Sequence, residues 1–221
     1  MSKKTIQIVK KIMSANDQIA EENQEFLNSK NILTINVMAS PGSGKTSLIL
    51  RTIENISSQS KIAVIEGDTA PVTIDSDKIS NLNIPVIQIN TGGECHLDAL
   101  MVRTGLEQLD LSNINLLIIE NVGNLICPAA FRLGEHFSIV IASIPEGDDK
   151  PYKYPNIYRG IQSLILNKTD LLPYVDFNID YFKQGIEALN PGVAFFPLSC
   201  KTGEGFDKWA DWLKTRIQEM K

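Results

Sequence analysis

With 221 residues, 43% of them hydrophobic, the chain is long enough to bury a full core as one large domain without disulfide or metal staples. A net charge of −5 and a pI near 5.1 exclude the electrostatic footprint of a nucleic-acid or anionic-membrane binder. Three cysteines, at 95, 127 and 200, are too few and too odd in number for a disulfide framework and point to a reducing compartment.

Residues 3–29 carry a loose apolar stripe (Ile6, Val9, Ile12, Met13, Ile19, Phe26, Leu27) without Gly or Pro, which predicts a helix that packs on the core or on a partner. Neither an apolar leader core at the start nor an uninterrupted apolar run of about 18 residues is present, so a cytoplasmic location is expected. Strands are then predicted at 32–38, 62–66, 86–89, 116–120, 139–143, 164–167 and 194–198, and helices near 45–57, 75–80, 97–109, 177–189 and 206–218. Runs such as Leu116-Leu117-Ile118-Ile119 are apolar at every position, as in strands buried on both faces. The expected fold is therefore α/β: residues 1–29 as an N-terminal helix, then one domain over 30–221 with a mostly parallel sheet of about seven strands and helices on both faces. Ligands of such sheets sit beyond the carboxyl ends of the strands.

The first of those ends carries Ala39-Ser40-Pro41-Gly42-Ser43-Gly44-Lys45-Thr46-Ser47. This is a phosphate-binding loop of the P-loop NTPase kind, with Ala39 where the pattern's first Gly usually stands. Gly42, Ser43 and Gly44 let the backbone N–H groups and the following helix N-terminus face phosphate. Lys45 reaches the terminal phosphates, and Thr46 and Ser47 open the helix with the Thr46 hydroxyl toward Mg²⁺. Asp68, in Glu66-Gly67-Asp68, and Glu120, in Glu120-Asn121-Val122-Gly123, end two other strands and are expected in the Mg²⁺ shell. Gly123 is placed to touch the γ-phosphate, and the segment 69–77 is a candidate switch. Asn167-Lys168-Thr169-Asp170 fits N-K-x-D, whose carboxylate accepts hydrogen bonds from guanine N1 and N2, selecting GTP over ATP. Ser199-Cys200-Lys201 resembles the loop that lines guanine, with the Cys200 N–H expected toward guanine O6. These parts predict GTP hydrolysis to GDP and phosphate by positioning and electrostatic stabilisation. Asn124 stands where many GTPases carry a water-orienting Gln, so slow intrinsic turnover is expected.

Gly92-Gly93-Glu94-Cys95-His96-Leu97 follows the third strand, and Cys127 lies four residues after Gly123, at most about 13 Å of chain away. A Cys/His set of this kind selects Zn²⁺, Ni²⁺ or Cu⁺ over Mg²⁺. Three ligands from two loops leave room for Glu94, water or a second subunit. The spacing is equally compatible with a buried structural cysteine and a capping histidine. His136, opening a strand, reads as structural.

Taken together, these motifs resemble the HypB family, GTPases that serve nickel incorporation into nickel-iron hydrogenase and are related to the urease accessory GTPase UreG. The resemblance covers residues 30–220 and is carried by Pro41 to Thr46, Gly92 to Leu97, Glu120 to Leu125 with Cys127-Pro128, and Asn167 to Asp170. It implies that Cys95, His96 and Cys127 bind Ni²⁺ or Zn²⁺ between two subunits of a GTP-dependent homodimer, that a HypA-like nickel chaperone is a partner, and that nickel is delivered to the hydrogenase large subunit. The urease relative carries Cys-Pro-His instead of separated Cys-His and Cys; a urease-type maturation GTPase, or a metal-binding module in which nucleotide is only structural, are the alternatives. With no cysteine before Cys95 and only His96 and His136 in the chain, a nickel-storage role is not expected. In the polar loop at 148–155, Lys150 and Lys153 are either solvated or reach the nucleotide of a second subunit.

Overall fold

The structure, a computed structural model, describes residues 8–69, 79 and 81–220, with side chains from residue 13 onward. The expected helix at 75–80, apart from Ile79, and the candidate switch at 70–77 lie outside the described residues, as does the expected start of the first helix before Ile8.

Seven strands, β1 (Leu33–Ala39), β2 (Ile62–Asp68), β3 (Val86–Asn90), β4 (Leu116–Glu120), β5 (Phe137–Ser143), β6 (Ser163–Asn167) and β7 (Ala194–Pro197), form one sheet in the order β3-β2-β4-β1-β5-β6-β7. Every pairing is parallel. Among the described residues the longer runs of α-helix are α1 (Ile8–Ser29), α2 (Lys45–Ile56), α3 (Ala99–Gln108), α4 (Lys150–Lys153), α5 (Pro155–Tyr158), α6 (Ile179–Leu189) and α7 (Phe206–Glu219).

Strand periodicity explains why the apolar runs are continuous. Leu116, Ile118, Ile35 and Val37 face the layer of α2 and α7, where Leu48, Ile53, Trp209 and Leu213 cover them. Leu117 and Ile119 face the opposite side, under Leu27 of α1 and Val102 and Leu106 of α3, and Val140, Leu164 and Leu166 face Tyr158, Phe182 and Ile186 there. Trp209 is fully buried, and its indole N–H donates to Thr52 on α2 at 3.0 Å, so the ring loses no hydrogen bond in the core.

Helix starts follow their caps rather than the apolar pattern. The third begins at Ala99, not 97, because Asp98 accepts the Met101 N–H at 2.7 Å; the sixth begins at Ile179, not 177, because Asn178 accepts from Tyr181 at 3.0 Å. β7 ends at Pro197, one residue earlier than expected.

The first helix packs on this domain through amides as well as through Ala20 and Leu27. Asn23 donates to the carbonyls of Ala99 (2.8 Å) and Leu133 (3.0 Å), and Asn16 donates to Arg132 O and accepts from Ala99 N. His136 closes the same seam: Nδ1 accepts the Thr34 N–H at 3.0 Å, and Nε2 lies 2.8 Å from the Asn28 carboxamide oxygen. The neutral ring with its proton on Nε2 satisfies both partners, and burial holds its pKa below the ordinary histidine value. The unfolded chain takes up this proton near pH 6.5 while the folded chain resists it, so stability is full above that pH and declines as pH falls below it. Thermal midpoints measured from about pH 7.5 down to about pH 5.5 should therefore fall more steeply for the wild type than for His136→Gln, which cannot titrate. Equal slopes would remove His136 from the acid sensitivity.

Candidate functional site

At the centre of the sheet β1 lies between β4 and β5, and the chain's first crossover runs to the β2 side, so the carboxyl ends of β1 and β4 flank a topological switch point. The phosphate loop leaves β1 there. Gly42 and Gly44 take positive φ (75° and 106°), and Gly44 precedes α2 with no side-chain cap, so the first-turn N–H groups of α2 face the loop. A cleft of about 580 Å³ opens above it, walled by Lys45, Thr46, Glu66, Asp68, Glu120 and Cys95. The Thr46 hydroxyl donates to Glu120 Oε1 at 3.0 Å. Gly123 lies against the loop so closely that a Cβ on it would stand 3.2 Å from Pro41 Cα.

A second cavity of about 510 Å³ continues past Gly44 and Ser47 and is lined by Asn167, Lys168, Asp170, Cys200 and Lys201. Here the N-K-x-D residues bind protein as well as line space. Asn167 donates to Ser43 O at 2.9 Å, the Lys168 ammonium reaches Gly42 O at 2.7 Å, and Asp170 Oδ1 accepts the Ser199 hydroxyl at 2.6 Å. The Cys200 N–H, expected toward guanine O6, donates to Asn167 Oδ1 at 3.0 Å in this structure. Its thiol is pushed up to about 11 by burial, with Arg51 pulling the other way, which keeps it neutral and unsuited to metal.

Cys95 Sγ, a ring nitrogen of His96 and Cys127 Sγ all lie within 4.8 Å of one another, and each residue is partly exposed. The His96 ring stacks on Phe131, centroids 3.9 Å apart, and its Nδ1 is 3.8 Å from Cys95 Sγ. Chiefly the facing Cys127 thiol, and then burial, hold the Cys95 thiol above its ordinary pKa. Tetrahedral Zn²⁺ needs donors about 3.5 Å apart, so a modest contraction of the trio suits an ion, and soft thiolates with imidazole are the donor set for Ni²⁺ or Zn²⁺.

Four supporting residues escape sequence reasoning. Glu66 is 3% exposed, pairs in register with Glu120 across β2 and β4, and lines the cleft; its place two residues before Asp68, on the same strand face, was the available signal. Glu146, half-buried and with its carboxyl pKa raised by desolvation, accepts the Ser40 hydroxyl of the phosphate loop. Arg51 of α2 holds the carbonyls of Cys200 (2.8 Å) and Lys201 (3.3 Å). Asn121 joins β4 to the Cys95 loop. Of the last three, Glu146 carries a local signal as the acid of the Ser143-x-x-Glu146 capping box and Asn121 lies inside the Glu120 to Leu125 motif; Arg51 has none. Lys153 pairs with Asp149, and Lys150 lies 5.8 Å from the Tyr154 ring.

A strand-to-helix phosphate loop, an acidic strand end and an N-K-x-D pocket on one parallel sheet define a P-loop nucleotide-binding protein. Residues 33–197 match the model of the CobW/HypB/UreG nucleotide-binding domain. Hydrogenase maturation factor HypB of Azotobacter chroococcum is 42% identical over 95% of this chain and 68% of its own length. Among solved structures, HypB from Archaeoglobus fulgidus (39% identity, TM-score 0.86, 92% of this chain and 99% of that one) and HypB from Helicobacter pylori in complex with nickel (32%, 0.87, 93% and 96%) superpose on it. The chain therefore belongs to the CobW/HypB/UreG family, in its HypB branch.

The loop geometry has a direct consequence for stability. Gly42→Ala forces a side chain into positive φ at a cost of about 1–2 kcal/mol. Gly44→Ala adds to that strain a Cβ 2.4 Å from Asn167 Nδ2 and should lower the urea midpoint clearly further. Equal losses in the two variants would show that Asn167 does not press on the loop.

Proposed function

We propose that this chain is a GTP-hydrolysing metallochaperone that binds nickel through Cys95, His96 and Cys127 and couples nucleotide state to nickel insertion into nickel-iron hydrogenase. The observation that carries the reading is continuity: Cys95 walls the same cleft as Lys45, Thr46 and Glu120, and Cys127 follows Gly123, which lies against the phosphate loop, by four residues. Nickel-complexed HypB from Helicobacter pylori supports the choice of cargo.

In this reading the first-turn N–H groups of α2, Gly42 to Gly44 and Lys45 bind the phosphates, Asp170 reads guanine, and Asn167 and Lys168 hold the phosphate loop in shape. Thr46, Glu120 and Asp68 are hard oxygen donors at one end of the cleft, and the 3.0 Å contact between the first two fits a shared Mg²⁺. When bound, that ion neutralises charge on the β- and γ-phosphates. Water attacks the γ-phosphorus, the bond to the bridging oxygen of GDP breaks, and Lys45 with the backbone N–H groups stabilises the charge that collects there. With Asn124 in place of a water-orienting Gln, turnover is slow, well below a typical enzyme's rate of about 10 per second. Loss of the γ-phosphate releases Gly123, and Cys127 moves with it. A GTP-dependent homodimer in the cytoplasm completes the metal site, a HypA-like chaperone supplies nickel, and the hydrogenase large subunit receives it.

In a host lacking its own maturation GTPase, nickel-dependent hydrogenase activity should return with the wild-type chain and stay absent with Lys45→Ala or Cys95→Ala. Full rescue by Lys45→Ala would favour a metal module in which nucleotide only supports the fold. The ligand assignment has its own test in the pH dependence of binding. Because cysteine ligates a metal as thiolate, nickel binding through these residues releases protons, and its apparent affinity should rise with pH by about tenfold per unit for each proton released. Cys127→Ala, with one thiol fewer, should show a shallower rise by isothermal titration at several pH values; an unchanged slope would take Cys127 out of the ligand set.

A further inference from the structure

The carboxamide of Asn121 is fully buried between parts of the site that belong to different ligands. Asn121 directly follows Glu120. Its Oδ1 accepts the N–H of Leu97 at 3.1 Å and that of Val122 at 2.9 Å, while its Nδ2 donates to Asn36 Oδ1 on β1 at 3.2 Å. Two backbone donors on one oxygen fix which end of the amide is the carbonyl. Its own N–H donates to Val37 O at 3.0 Å, so both backbone and side chain of Asn121 are tied to the strand that runs into the phosphate loop.

Leu97 is the residue after Cys95 and His96, and it is held twice. Its N–H is held by Asn121 on β4. Its buried side chain presses on Gly67 of β2, where a Cβ would lie 2.6 Å from Leu97 Cγ, and Gly67 stands between the two cleft carboxylates Glu66 and Asp68. Two residues on, Ala99 is fixed by Asn16 and Asn23 of α1. The Cys95 loop is thus anchored behind by a helix and in front by two strand ends that both line the cleft.

We propose that Asn121 is a positioning residue that transmits the state of the nucleotide cleft to Cys95 and His96. A shift of Glu120 or Gly123 carries the carboxamide between them. The Leu97 N–H follows, because a buried N–H that loses its acceptor suffers the full desolvation penalty. The chain from Gly123 to Cys127 moves one member of the thiol and imidazole trio; Asn121 moves the other two, so the trio opens or closes as the cleft changes. This inference rests on the reading that the cleft holds nucleotide.

Amide hydrogen exchange at Leu97, followed in metal-free protein with Mg²⁺ and either GDP or a non-hydrolysable GTP analogue, tests the clamp without involving nickel. In the wild type the analogue should slow Leu97 exchange by about tenfold relative to GDP. In Asn121→Ala, with analogue binding retained, the difference should shrink to less than about twofold, whereas Asn121→Asp, which keeps the acceptor, should preserve most of it. Asn36→Ala, which frees the Nδ2 end but leaves the Leu97 bond, should give an intermediate value and serves if Asn121→Ala does not fold. Equal Leu97 exchange in both states of the wild type, or a wild-type response in Asn121→Ala, would overturn the proposal. Failure of the functional reading looks different: Leu97 would respond through Asn121 while nickel affinity ignored the nucleotide, which keeps the clamp and removes the cargo.

Discussion

The central strands of this sheet are buried on both faces, with Ile35, Val37 and Ile118 under one helix layer and Leu117 and Ile119 under the other. Groups that must meet charged ligands are thereby confined to the carboxyl edge. Lys45, Asp68, Cys95, Glu120, Cys127, Asn167 and Ser199 all follow or end a strand there. Confinement also forces the two chemistries together: the acidic end of β4 reaches Thr46 on one side, and its next residue, Asn121, reaches the Cys95 loop on the other.

Such crowding gives the site its mechanics. Rigid apolar strands hold the carboxyl ends at fixed register, Glu66 opposite Glu120 and Asp68 opposite Asn90, so motion at the edge falls to the loops. Those loops are cross-linked by buried and half-buried polar side chains as well as packed by apolar ones such as Leu97. Asn167 holds Ser43, Glu146 holds Ser40, Arg51 holds the carbonyls at 200 and 201, and Asn121 holds Leu97. A network of this kind is stable when every member is satisfied and moves as a unit when one is displaced. The first helix, joined by Asn16 and Asn23 to the start of α3, gives the network a fixed back wall.

Sequence carried the strands, the phosphate loop and the N-K-x-D pocket because their signals are local: continuous apolar runs, glycines at set spacing, and a lysine and threonine in register with them. Residue type, position after strand ends and the family resemblance nominated Cys95, His96 and Cys127, but their approach to within 4.8 Å comes from loops that leave β3 and β4, with β2 between them, and no spacing encodes it. Helix starts at 97 and 177 were misjudged by two residues, since the apolar pattern ran past the capping Asp98 and Asn178. The contacts of Glu146 with Ser40, Arg51 with Cys200 and Asn121 with Leu97 join residues far apart in sequence, which a period or motif does not reveal.

The central claim is that nucleotide and metal share one switch, and thermodynamic reciprocity gives its most direct test. Nickel affinity would be measured with GDP and with a non-hydrolysable GTP analogue, and the affinities of the two nucleotides measured with and without nickel, in the same wild-type protein at one pH. The account predicts that nickel affinity changes between the nucleotide states and that nickel shifts the preference between the nucleotides by the same factor. Ratios of one in both directions would mean that the thiol and imidazole trio and the phosphate cleft are neighbours without being coupled.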